Sequence, residues 1–217
     1  MPVRKNTFLP NTYYHVVNHG IDNRVIFHDD QDFTTFLDSL VYYLKPLESK
    51  PQTALSRTGL AFTGLFKDRV KLFSYSLLPT RFHLLFWQTD PAAIAKLMQR
   101  VGTAYSMYFN RRHKRSGTLF QGRFKSKHID TDDYLLESTK YIHRDILKLS
   151  PQELLEYRYS SFPFFVTGQP SHSLDQAMST EKVKNHLGFT HPGTTYQQYV
   201  EGGANVDWYQ NLAAWME

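Results

Sequence analysis

The sequence predicts an α+β fold built on an antiparallel sheet, and three observations predict it. Four short segments rich in β-branched and aromatic residues read as strands. Two segments with apolar residues at three- and four-residue spacing fall between them, in the order β-α-β-β-α-β. A third such helical segment follows the last strand. This order is that of the ferredoxin-like, split βαβ arrangement.

The first strand is TYYHVVNH, residues 12–19, ended by Gly20. Alternation puts Tyr13, His15, Val17 and His19 on one face. A helix follows from about Asp30, where Phe33, Phe36, Leu37, Leu40 and Leu44 recur at helical spacing and Pro46 stops it. Residues 46–68 read as an irregular insertion. Strands are expected at roughly 69–77 and 82–88, joined by a turn containing Pro79, and both are apolar on both faces, as central strands are. Asp90 is the expected N-cap of the next helix, with Pro91 in its first turn. Ile94, Leu97, Met98, Val101, Tyr105 and Tyr108 form its apolar stripe, and its far end runs into Arg111, Arg112, Lys114 and Arg115. The loop SGTLFQGRF leads to a fourth strand near 124–129, and Asp130 or Thr131 caps a helix over 132–148. Beyond Ser150, Phe162-Pro163 and Gly168-Gln169-Pro170 mark turns ahead of a short helical tail. The expected organisation is one domain over 1–150, carrying the 46–68 insertion, and a C-terminal extension over 151–217 packed on it or appended to it.

At 217 residues and 41% hydrophobic, the chain has enough apolar material for one substantial core. It has no cysteine, which excludes disulfides and thiolate metal sites and fits a cytoplasmic location. No apolar run approaches the ~18 residues of a membrane helix, and MPVRKNTFLP lacks the apolar core of a signal peptide. The net charge of +5 is concentrated. Nine Lys or Arg and no Asp or Glu lie between Lys96 and Lys127, whereas the rest of the chain holds 16 basic and 20 acidic residues. A local basic strip of this kind matches a phosphate backbone. Tyr105, Tyr108, Phe109, Phe120 and Phe124 are woven through it, and exposed rings stack on unpaired bases. A solvated helix face beside a polar loop is the competing reading.

Two constellations carry possible chemistry. In Arg81-Phe82-His83 the outer residues point the same way on a strand, and two histidines at that spacing would hold a divalent ion, but only His83 is present. Glu137, Tyr141 and Asp145 lie four apart and line one helix face. A tyrosine phenol attacks a phosphodiester when a metal polarises the phosphate, and Asp145 offers that metal a hard oxygen ligand one turn away. A structural His83, a core-packed Tyr141 and a solvated Asp145 remain open at this point.

Several segments, in this order, resemble the REP-associated tyrosine transposases of the single-tyrosine HUH superfamily. They are YHVVNHGIDNRVIF, SYSLLPTRFHLLF, YFNRRHKRSGTLFQGRFKS, YLLESTKYIHRDILK, RYSSFPFFVTG and YQQYVEGG, and together they span nearly the whole chain. The resemblance implies a ferredoxin-like catalytic domain that acts on single-stranded DNA with hairpins, such as REP elements, through a 5′-phosphotyrosine and Mg²⁺ or Mn²⁺. Tyr141 matches the nucleophile, His83 the second metal histidine, and Asp145 the position of a third ligand. Arg111, Arg112, Lys114, Arg115, Arg123, Lys125 and Lys127 match positions expected to meet DNA. The protein is expected to act as a monomer or homodimer, away from any membrane.

The sequence departs from the family pattern where the metal would sit. Arg81 stands in place of the first metal histidine, and Thr80 in place of the asparagine before it. Asp145-Ile146 replaces Asn-Pro. A guanidinium stays protonated and cannot ligate a metal. A carboxylate at 145 compensates in part, and His15 would help if the first strand lies beside the third. Alternatively, Arg81 itself supplies part of the positive charge at the scissile phosphate. The competing functions are therefore a transposase, a hairpin-binding protein of the same fold with weakened chemistry, and an RNA-binding module. The last lacks the required run of stacking aromatics.

Overall fold

The computed structural model describes residues 8–45, 64–148 and 154–202. Strand β1 (Thr12–His19) leads through a short turn of 3-10 helix to α1 (Asp30–Leu44). The hairpin β2 (Val70–Leu78) and β3 (Arg81–Gln88) follows, then α2 (Ala93–Arg112), β4 (Lys125–Ile129) and α3 (Asp132–Arg144). The four strands form one sheet in the order β2-β3-β1-β4, with every neighbouring pair antiparallel. This is the ferredoxin-like arrangement predicted from the element order. Residues 46–63 of the predicted insertion lie outside the described residues.

Both faces of the sheet are covered, which explains the strands' doubly apolar character. On one face α1 and α2 bury Phe36, Leu40, Leu97, Val101 and Tyr105 against Val16, Phe82 and Leu84. On the other, α3 and residues 154–202 bury Leu135, Ile142, Phe162 and Val200 against Leu85 and Ile129. Truncating a fully buried Leu or Ile to Ala in either layer is worth about 2–5 kcal/mol.

Local rules set most element ends. Asp29 caps α1 by accepting from the Asp32 N–H, and Thr131 caps α3 by accepting from the Tyr134 N–H. The expected Asp90 cap is shifted. Its Oδ1 accepts from the Ala92 N–H at 2.8 Å, so Asp90 shapes a preceding turn and Ala92 becomes the N-cap. The predicted 132–148 helix tightens at Asp145 into 3-10 geometry that runs to Lys148. Phe162-Pro163, expected as a turn, instead opens α4 (Phe162–Thr167), because a proline in the first helical turn gives up an N–H that has no helical partner anyway. Gly168, at φ +72°, ends that helix in the left-handed region.

β2 is an edge strand, not a central one. Its free edge is nonetheless paired, by chain from beyond residue 154. Leu77 N–H donates to Tyr159 O at 2.9 Å, Ser161 N–H to Tyr75 O at 3.0 Å, and Ser179 N–H to Leu72 O at 2.9 Å. Capping the edge in this way removes a template for aggregation. Helices α5 (Glu181–Thr190) and α6 (Tyr196–Glu201) then pack against α3.

His143 joins α3 to this segment. Its Nε2 lies 2.7 Å from Ser161 Oγ and its Nδ1 2.7 Å from Tyr196 Oη. Burial pushes the imidazole down to about 3 from 6.5. In the unfolded chain the same ring takes up a proton near pH 6.5, so folding gains stability from the neutral ring above that pH and loses it as the pH falls toward 3. The melting temperature is therefore expected to drop between pH 7 and pH 4, and His143→Gln, which keeps both hydrogen-bonding roles without titrating, should flatten part of that drop. An unchanged pH profile in the variant would contradict this account.

Candidate functional site

The face of the sheet under α3 gathers polar side chains. β1 pairs with β3 so that His19 lies opposite Arg81 and Val17 opposite His83. The same β1 residues pair with β4, setting Lys125 opposite Val17 and Lys127 opposite His15. Directly paired residues share a face. His15, His19, Arg81, His83, Lys125 and Lys127 therefore line one surface, and the C-terminal end of α3 lies beside it. Because α3 packs on β2 and β3, it leaves the β4 side, with its half-exposed lysines, open.

Asp145 organises the centre. Arg81 Nε donates to its Oδ2 at 2.7 Å and Arg81 Nη2 to its Oδ1 at 2.9 Å. His83 Nε2 approaches the same Oδ2 at 3.1 Å, out of line for a hydrogen bond. His83 Nδ1 in turn lies 3.0 Å from His15 Nε2. The carboxylate is wholly buried, whereas the Arg81 side chain is 29% exposed at the rim. Burial alone would raise the Asp145 carboxyl, but His83 and then Arg81 outweigh it and hold it well below the usual carboxylate range. Burial, followed by the charge of His83, keeps the His15 imidazole well below its ordinary value. Arg81 also sits at the C-terminal end of α3, where the helix dipole favours a cation.

Tyr141 stands one turn before Asp145, only 2% exposed. Its ring meets His15 and His83 edge-on, at centroid distances of 6.0 and 5.9 Å. Burial and then the Asp145 charge raise the phenol above its ordinary value, with Arg81 pulling the other way. Glu137, on the same helix face in the sequence, turns elsewhere and accepts from Tyr199 Oη at 2.6 Å.

The basic strip divides in space. α2 lies on the opposite face of the sheet from Tyr141, so Lys96 at its exposed start is remote from this site. Arg112 is bound into the scaffold, 2.7 Å from Asp29 and 2.5 Å from Asp32. Arg115 bonds Asn110 Oδ1 at 3.0 Å and lies over the Phe109 ring. Arg111, Lys114 and Arg123 are exposed. The expectation of stacking aromatics is corrected. Tyr105 and Phe109 are fully buried, Tyr108 bonds Asp32, and Phe120 and Phe124 pack on the α1–α2 core. Periodic aromatics on a helix served the core here.

The loop after α2 nevertheless reaches the site. Gln121 N–H donates to His19 O at 2.9 Å, Ile21 N–H to Leu119 O at 3.0 Å, and Asn18 Nδ2 to Gly122 O at 3.1 Å. Gly20, at this junction, leaves no room for a Cβ, which would collide with the Arg24 carbonyl oxygen. The loop thereby brings Arg123 to the end of the sheet where His19 and Arg81 lie. His19 was only implied by strand alternation. It stands near Lys125 and Arg81, and burial first, then those two charges, lower its imidazole from the ordinary value.

The donor set does not fit a divalent ion. Both oxygens of Asp145 are held by a guanidinium, His83 Nδ1 is engaged with His15 while its Nε2 faces that already paired carboxylate, and the positive charge of Arg81 occupies the rim of the site. Among the described residues no group of three His, Cys, Asp or Glu side chains is placed to hold a metal. Nor is any helix among them long and apolar enough to cross a membrane.

The chain shares its fold with a REP-associated tyrosine transposase. The solved structure of that transposase, bound to a REP hairpin, superposes with a TM-score of 0.53 over 82% of this chain and 93% of that one. Sequence identity between the two is 12%, so the likeness is one of fold. No protein-family model and no curated protein matches the sequence.

Proposed function

We propose that this is a transposase-like protein that binds hairpin-bearing single-stranded DNA along the β4 side of the α3 face and cuts and rejoins it through a 5′-phosphotyrosine at Tyr141. The observation that carries the reading is the convergence of Tyr141, His15, His83, Arg81 and Asp145 with Lys125 and Lys127 on one face, at the end where the loop after α2 docks. The shared fold with a hairpin-bound transposase supports it. Lys125 and Lys127 neutralise phosphates beside the site, Arg123 extends the track from the loop, and Tyr141 supplies the attacking oxygen. A second reading, hairpin binding without chemistry, is favoured by one observation, the 2% exposure of Tyr141. In that case the strand binds the lysines and never reaches the phenol.

Binding is tested by fluorescence anisotropy with a labelled hairpin carrying a single-stranded tail, over a range of salt. Lys125→Gln with Lys127→Gln should weaken binding and flatten the logarithmic salt slope by roughly 0.7–0.9 per lost phosphate contact. Lys96→Gln, on the far side of the fold, should leave the slope unchanged. A slope that responds to Lys96 and not to the β4 lysines would overturn the proposed surface.

A further inference from the structure

We propose that the Arg81 guanidinium, oriented by Asp145, is the phosphate-activating cation of this site, so that strand transfer needs no divalent metal. The inference rests on the reading of Tyr141 as the nucleophile. Arg81 occupies the strand position two residues before His83, on the same face, where a second metal ligand would otherwise point. Its bidentate bond to Asp145 uses two of five guanidinium N–H groups and leaves three for a ligand. The wholly buried carboxylate anchors the planar group, and the 29% exposure of the Arg81 side chain leaves its outer edge open to a phosphate. A divalent ion at His83 and Asp145 would have to break that pair and sit beside a fixed positive charge. A fork of donors held in place, by contrast, matches the geometry of phosphate oxygens.

In the step itself, the Tyr141 phenolic oxygen bonds to phosphorus as the bond from phosphorus to the 3′-oxygen breaks. The phenol gives up one proton and the departing 3′-oxygen takes one up, so there is no net change in protons and no redox partner. Negative charge grows on the non-bridging phosphate oxygens, and Arg81 donates to them without losing its own proton. Asp145 is a positioning residue, since it acts through Arg81. His15 and His83 pack edge-on against the Tyr141 ring.

The test follows covalent protein–DNA adduct on a denaturing gel, using the full chain and a labelled single strand with a hairpin. Wild-type protein is assayed in EDTA, Mg²⁺ and Mn²⁺, with Arg81→Lys and Arg81→His alongside. The expected wild-type rate is the same within about twofold in all three media. Arg81→Lys, which keeps the charge and loses the fork, should slow adduct formation roughly 100-fold, the typical loss of one transition-state donor, with hairpin affinity within about threefold. Arg81→His should form adduct only with Mn²⁺ or Mg²⁺. Should either variant fail to melt cooperatively, the wild-type comparison decides alone. A wild-type adduct that requires metal, or an Arg81→Lys variant as fast as wild type, overturns the guanidinium proposal and leaves Tyr141 as nucleophile. A wild-type protein that binds the hairpin and forms no adduct in any medium overturns the Tyr141 reading, and this proposal with it.

Discussion

Tyr141→Phe is expected to lower covalent attachment to a hairpin-bearing strand by roughly a thousandfold or more, as removal of an attacking nucleophile does, while hairpin affinity stays within about threefold. The substitution is narrow. Phenylalanine keeps the ring that packs edge-on against His15 and His83 and removes only the oxygen. The surrounding charges also predict the pH dependence. Burial first, and the Asp145 carboxylate second, keep the phenol protonated beyond the ordinary tyrosine range. The wild-type adduct rate should therefore climb with pH and not level off below that range. The check is adduct yield against time on denaturing gels between pH 6 and pH 9. Adduct formed equally by Tyr141→Phe would remove Tyr141 from the mechanism.

Arg81→Ala is expected to cost about 2–4 kcal/mol of stability, measured by urea unfolding. The reference point is about 3–5 kcal/mol for stripping one partner from a buried ion pair, reduced because Arg81 is partly exposed and solvent screens its side of the pair. The loss comes from leaving the Asp145 carboxylate buried beside His83 without its bidentate partner. Adding Asp145→Ala should recover part of it, and the double-mutant cycle should return a coupling of about 1–3 kcal/mol. The pH dependence has a definite sign. Burial raises the Asp145 carboxyl, and His83 and Arg81 together bring it well below 3.8, so its contribution is complete above the unfolded value and fades as the pH falls below it. The gap between wild type and Arg81→Ala should therefore narrow below about pH 4. A constant gap would mean that Arg81 stabilises through packing and not through the pair.

Much of the fold was legible because periodicity is local. Residues 12–19 alternate as a strand should and end at a glycine that has no space for a side chain, so the strand appears with the predicted bounds. Helices α1 and α2 follow their apolar stripes to within a turn. What sequence could not carry was pairing. The apolar character of β2 looked central because strand propensity does not record who covers an edge, and here the cover comes from residues 159–161 and 179. The basic strip, nine Lys and Arg between Lys96 and Lys127, reads as one patch because it is continuous in sequence. α2 lies behind the sheet and β4 in it, so strand alternation turns Lys125 and Lys127 toward Tyr141 while Arg112 closes on Asp29 and Asp32.

The candidate site was legible in the same partial way. His83, Tyr141 and Asp145 could be nominated one at a time, from residue type and spacing. That His15 reaches His83 depends on β1 lying beside β3, which no local pattern states. The decisive feature, Arg81 on Asp145, joins residues 64 positions apart. There a guanidinium paired with its own counter-ion stands where the family pattern has a metal histidine.

The central claim is that the phenol of Tyr141 becomes joined to the 5′ side of a cut strand. Its most direct test is to label a hairpin-bearing strand at its 3′ end, trap the reaction by denaturation, and locate the modified residue by peptide mass spectrometry. The 3′ label is expected to stay with the protein, with the nucleotide on the peptide containing Tyr141. Label released from the protein, or retained on a peptide without Tyr141, would contradict it.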